Sequence, residues 1–90
     1  MVSVKNIEKR IYDIESFEVN IINPDGTNCR SDKSLPKQYE ATRMSKNSFT
    51  VGEWKLKFKK QYPGYTVEVL DGSGNPVDGH TCLSTVRDTY

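Results

Sequence analysis

The sequence predicts a small α+β domain, with a four- or five-stranded mixed sheet, one main helix packed across it and a short helix at the N-terminus. Three observations predict it. Apolar residues recur at helical spacing in two stretches, Val4/Ile7/Ile11/Ile14 and Val51/Trp54/Phe58/Tyr62. They alternate with polar residues in two others, Phe17/Val19/Ile21 and Tyr65/Val67/Val69. Turn-forming residues punctuate the chain, as Asn-Pro-Asp-Gly at 23–26 and Asp-Gly-Ser-Gly-Asn-Pro at 71–76. The 90 residues suit a single domain, divided into an N-terminal helix (1–15) and a core (16–90). A domain of this size buries only about 60–65% of the surface its unfolded chain exposes, so little room is expected for an internal ligand cavity.

The first helix places Lys5, Glu8, Lys9 and Arg10 between its apolar positions, and Ser3 is its expected cap. Phe17, Val19 and Ile21 then form a strand. The turn at 23–26 sends the chain back, with residues 27–30 expected as the second strand of a hairpin. Residues 31–38 read as a loop because Pro36 interrupts regular structure, and residues 39–44 read as a third short strand. The stretch from Glu53 to Lys59 alternates perfectly and could be a strand. The helix reading over 50–61 is stronger. Thr50-x-x-Glu53 matches a capping box, in which each residue's side chain accepts from the other's amide. Pro63-Gly64 ends a helix naturally, whereas an L-Pro-Gly pair twists a two-residue hairpin the wrong way. The helix gathers Val51, Trp54, Phe58 and Tyr62 on one arc, makes Trp54 a core anchor and leaves Leu56 alone on the polar side. Residues 65–70 form a strand, and residues 81–87 are expected as the last one.

From Phe17 onward, the order strand, strand, helix, strand, strand resembles the β-grasp arrangement of ubiquitin-like domains. The resemblance lies in the order of elements and implies a helix lying across a mixed sheet. The chain carries no C-terminal Gly-Gly, so the resemblance implies no conjugation chemistry.

Composition narrows the function. No stretch approaches the roughly 18 consecutive apolar residues of a membrane span. The opening "MVSVKNIEKR" has no apolar segment of the kind a signal peptide needs. Both features predict a cytoplasmic chain with no membrane partner, in which Cys29 and Cys82 stay reduced. The net charge of +1 argues against a general polyanion binder. Its distribution says more. Residues 46–60 hold five lysines against Glu53 alone, while residues 61–90 set Arg87 against Glu68, Asp71, Asp78 and Asp88.

Candidate chemistry is sparse. His80-x-Cys82 places a histidine and a thiol on one face of the expected strand, but side by side, and a nucleophile pair needs direct hydrogen-bond reach and an orienting third group. Cys29, His80 and Cys82 lack the closely spaced second pair of a structural zinc site. The oxygen side chains of Asp71, Ser73 and Asn75 begin like a calcium loop, but Pro76 and Cys82 stand where the loop needs Gly and Glu. No phosphate-binding loop or nucleophile elbow is present. The sequence therefore predicts no enzyme activity, no metal and no cofactor.

The feature above background is a cationic cluster: Arg43, Lys46, Lys55, Lys57, Lys59 and Lys60. On the expected helix, Lys57 and Lys60 point away from the apolar arc, so reversing their charge is expected to leave the fold intact. The reading that follows is a protein-binding module, an adaptor or inhibitor docking onto a larger protein with an acidic surface, through these lysines or an exposed sheet edge. A stand-alone domain of this kind suits a phage or mobile-element protein. The alternative is nucleic-acid binding through the same lysines, with Tyr12, Tyr39, Tyr62, Tyr65 or Tyr90 as stacking surfaces.

Overall fold

In the computed structural model, every residue except Thr42 is described. Helix α1 spans Val4–Glu15. Ser3 caps it, its hydroxyl accepting from the Asn6 amide at 3.2 Å. The helix stops where Ser16 turns left-handed, with φ of 67°, and its amide donates to the Tyr12 carbonyl. Val4, Ile7 and Ile11 are buried at helical spacing, and the same stripe continues one turn further to a buried acid, Glu15. Ahead of α1, β1 (Val2–Ser3) pairs antiparallel with β3 (Ser34–Leu35), inside the stretch expected to be loop.

The main ladder joins β2 (Glu18–Ile22) to β4 (Thr66–Leu70), antiparallel, with Val19 opposite Val69 and Ile21 opposite Val67. These four valine and isoleucine side chains form its buried face. The hairpin expected after β2 is not formed as a strand pair. Residues 27–30 make a single bridge, Asn28 to Ile22, and the Cys29 amide donates to the Ile21 carbonyl at 2.9 Å. The reason lies in the turn. Asp25 Oδ1 accepts from both the amide and the hydroxyl of Thr27, and the Asn23 amide donates to the Thr27 carbonyl. These bonds tighten the turn, and the polar residues beyond it offer no apolar face to extend the pairing.

Helix α2 spans Val51–Gln61 with the expected capping box at Thr50 and Glu53. It packs on β4 and buries Val51, Trp54 and Phe58. Trp54 is fully buried, edge-on to Phe17 at 5.0 Å between ring centroids. The final segment differs from expectation. Residues 81–87 were to be a strand, but Leu83–Arg87 is a helix, α3, and Cys82 makes only a bridge to Thr50. Leu83 and Val86 stand three apart, a helical spacing, and both are buried. Tyr90 closes the ladder's end, its hydroxyl accepting from the Glu18 amide at 2.8 Å and donating to the Leu70 carbonyl.

The chain is thus a small α+β domain, with two two-stranded antiparallel sheets and three helices among the described residues. The four- or five-stranded mixed sheet is not formed among the described residues. Nor do the described residues of 39–44 form a strand: the Glu40 amide and carbonyl bond the Gln61 side chain in place of a strand partner, and Thr42 lies outside the described residues. No helix of the described residues is long and apolar enough to cross a membrane.

Candidate docking surface on the second helix

The apolar arc of α2 faces the core, so Leu56 is left on the far side, 61% exposed. Two shallow hollows flank it. One is lined by Phe49, Glu53, Leu56, Lys57 and Lys60. It continues past Phe49 and Lys57 into a second depression formed by Glu40, Ala41, Arg43, Met44, Ser45 and Lys46. Met44 is 45% exposed there, and Phe49 is half-buried against the core. On the other side of Leu56, Gly52, Lys55 and Lys59 face Ile22, Thr66 and Glu68. The six cations singled out in the sequence are therefore not one face. Arg43, Lys46, Lys57 and Lys60 surround the Met44–Phe49–Leu56 side, while Lys55 and Lys59 stand on the opposite flank.

Lys57 differs from its expected position. It points inward along the surface, with Nζ 3.4 Å from Ser45 Oγ, 3.8 Å from Glu15 Oε2 and 5.8 Å from the centroid of the Tyr39 ring. The helix sets its direction, but the buried carboxylate of Glu15 draws the ammonium down. The expectation that Lys57 points clear of the fold is corrected accordingly, and a glutamate there would face Glu15. Lys59 and Lys60 are exposed, and Lys55 is half-buried.

Glu15 is fully buried and fully partnered. Oε2 accepts from the Tyr39 hydroxyl at 2.7 Å and from Ser45 Oγ at 3.1 Å. Oε1 accepts from the Ser45 amide at 2.7 Å and from Arg87 Nη2 at 3.2 Å. Arg87 Nε also donates to the Glu15 carbonyl at 2.8 Å, and Nη1 to Asn47 Oδ1 at 2.7 Å. A second arm runs inward, with Trp54 Nε1 donating to the Tyr39 hydroxyl at 3.2 Å. Burial, reinforced by donation to Glu15, pushes the Tyr39 phenol well above its ordinary range, so it stays a donor. Burial pushes Arg87 down, and Glu15 opposes that shift. The network joins α1, the 39–47 segment, α2 and α3 through one carboxylate. Sequence reasoning missed it, although a signal existed: Glu15 stands four residues after Ile11, on the buried stripe.

The other candidates separate. His80 is exposed in a turn, its amide donating to Asp78 Oδ1 at 2.9 Å. Asp71 Oδ1 accepts from the Ser73 and Asn75 amides, which makes 71–75 a self-contained turn. The Cys29 thiol donates to Asn23 Oδ1 at 2.9 Å, and both cysteines are free. Among the described residues, no three His, Cys, Asp or Glu side chains gather as metal ligands. The tyrosines do not line the lysine hollows. Tyr39 and Tyr62 are buried, Tyr65 lies under Lys33 and Tyr12 meets Tyr90 edge-on.

No family model, curated protein or solved structure matches the chain.

Proposed function

We propose that the protein is a non-catalytic binding module, an adaptor or inhibitor, that docks onto an acidic surface of a larger protein through Met44, Phe49 and Leu56. The observation that carries this reading is an exposed apolar centre inside a cationic rim, formed by Arg43, Lys46, Lys57 and Lys60. Protein interfaces combine such a centre with a polar rim. The hollows set four cations against two acids, Glu40 and Glu53, and even with Lys57 shared with the buried Glu15 the rim carries an excess of positive charge. Nucleic-acid binding through the same cations is less well supported, because a single-strand site wants exposed rings for base stacking. The one ring here, Phe49, is half-buried. A cytoplasmic setting and a ubiquitin-like relationship belong to the same proposal.

The test uses three probes: an acidic peptide bearing leucines, the same peptide with serines for leucines, and oligodeoxythymidine. The leucine peptide is expected to bind tightest and to keep most of its affinity as salt rises. Tightest binding by the oligonucleotide, lost log-linearly with salt, would replace this reading with phosphate recognition. Equal binding of the two peptides would remove the apolar centre from the account.

A further inference from the structure

We infer that Glu15, buried and remote from solvent, is the positioning residue of the docking surface, and that it acts through Ser45 to hold Arg43, Met44 and Lys46 in place; the inference rests on the reading of that surface given above. The 43–46 stretch belongs to no helix or strand. Of Ala41, Arg43, Met44 and Ser45, only Ser45 hydrogen-bonds to the rest of the protein among the described residues. Both of its anchoring bonds, from the amide and from the hydroxyl, end on the two oxygens of one carboxylate.

The surrounding contacts single out this junction. Upstream, Gln61 holds Glu40 by a reciprocal pair, accepting from its amide at 2.8 Å and donating to its carbonyl at 3.0 Å. Downstream, the Asn47 side chain is held by Arg87, and the Phe49 carbonyl accepts from the Leu83 amide at 2.8 Å. Between these clamps Arg43 and Met44 are exposed, and Ser45 is the buried point of the stretch. A charged carboxylate is the acceptor that can take both Ser45 bonds, the Tyr39 hydroxyl and Arg87 at once. Lys57 ties the same junction to α2, since its Nζ reaches Ser45 Oγ as well as Glu15. The spacing of Met44 and Arg43 from Leu56 is thereby set from inside the protein.

The experiment compares Glu15→Gln, Ser45→Ala, Leu56→Glu and Val86→Ala with the wild type. It reads amide order parameters at Arg43, Met44 and Lys46, and binding of the leucine-bearing acidic peptide. Exchange protection of the β2 and β4 amides confirms that each variant is folded. Glu15→Gln is expected to drop the three order parameters from rigid values near 0.85 toward about 0.6. It should also weaken the peptide about tenfold, with Ser45→Ala showing smaller changes of the same kind. Val86→Ala lowers stability without touching Ser45, so it should leave both readouts at wild-type values. Should Glu15→Gln not fold, Ser45→Ala decides. Unchanged peptide binding in Leu56→Glu overturns the surface itself. Binding lost in Leu56→Glu but kept in both Glu15→Gln and Ser45→Ala, or rigid order parameters in those two, overturns only the role of Glu15.

Discussion

The two flanks of α2 carry the same pair of charges in the sequence and very different surroundings in the structure. On one flank, Lys55 and Lys59 stand beside Ile22, Thr66 and Glu68, outer residues of the β2–β4 ladder. On the other, Lys57 and Lys60 border Phe49, and Lys57 also borders residues 43–46 and reaches a buried carboxylate. The first flank is charge beside the ladder, with Ile22, Leu56 and Val67 among its neighbours and Glu68 within it. The second is charge around Met44, Phe49 and Leu56, above a buried carboxylate. Charge density alone makes the two alike, and the difference comes from what the rest of the chain places beside each lysine.

The largest effect that would break this comparison comes from beneath the second flank. Glu15→Ala removes a carboxylate that the Tyr39 hydroxyl, the Ser45 amide and hydroxyl and the half-buried Arg87 all use, and leaves the buried Tyr39 and Ser45 donors without their acceptor. A loss of about 3–5 kcal/mol in denaturant unfolding is expected. Thr50→Ala acts on both flanks together, because the capping box starts the whole helix. It should destabilise by about 0.5–2 kcal/mol by the same measurement.

Charge reversal then separates the flanks. Lys57→Glu sets a carboxylate beside Glu15 and should lower the unfolding midpoint by an amount worth about 1 kcal/mol or more. Lys55→Glu faces only the partly exposed Glu68, where solvent screens the repulsion, and should stay within about 0.5 kcal/mol of wild type. Equal losses in the two variants would mean that Lys57 is not tied to the interior.

The smallest effect concerns the other buried-side acid of α1. Glu8 accepts from the Ile21 amide at 3.2 Å, and burial nonetheless raises its carboxyl above the ordinary range, with Glu18 adding to the shift. A raised folded value means that the folded state holds the proton more tightly. The penalty of the charged form is therefore fully present above the folded value and disappears below the unfolded one. Glu8→Gln keeps an acceptor for Ile21, so it should be slightly more stable than wild type at neutral pH. The difference should vanish when the midpoints are compared near pH 3. A Gln variant that is less stable at neutral pH would show that the Ile21 bond outweighs desolvation.

Much of the fold was legible because local signals agreed. Ser3 and the Val4/Ile7/Ile11 stripe marked α1, and the Thr50–Glu53 box and the Trp54 arc marked α2. The alternation of Val19/Ile21 and Val67/Val69 marked the two strands of the main ladder. Where local and distant demands diverged, the sequence misled. The turn at 23–26 is real, but β2 takes its long-range partner in β4, more than forty residues away, rather than the polar residues that follow the turn. Leu83 and Val86 carried a helical spacing too short to outweigh the β-branched threonines around them. The cationic residues of the site could be read from composition. The separation of Lys55 and Lys59 from Lys57 and Lys60 follows from helical spacing, but what stands beside each pair could not be read, since it depends on where residues 43–46 lie. Glu15 was written into the helical stripe, but an acid on such a stripe becomes informative only once its partners at Tyr39, Ser45 and Arg87 are known.

The most direct test of the docking surface is an amide and methyl chemical-shift titration of the labelled protein with the leucine-bearing acidic peptide. The account predicts shifts concentrated at Arg43, Met44, Lys46, Phe49, Leu56, Lys57 and Lys60, with the amides of Thr66, Val67 and Glu68 still. Shifts centred instead on Lys55, Lys59 and residues 66–68 would place binding on the opposite flank and contradict it.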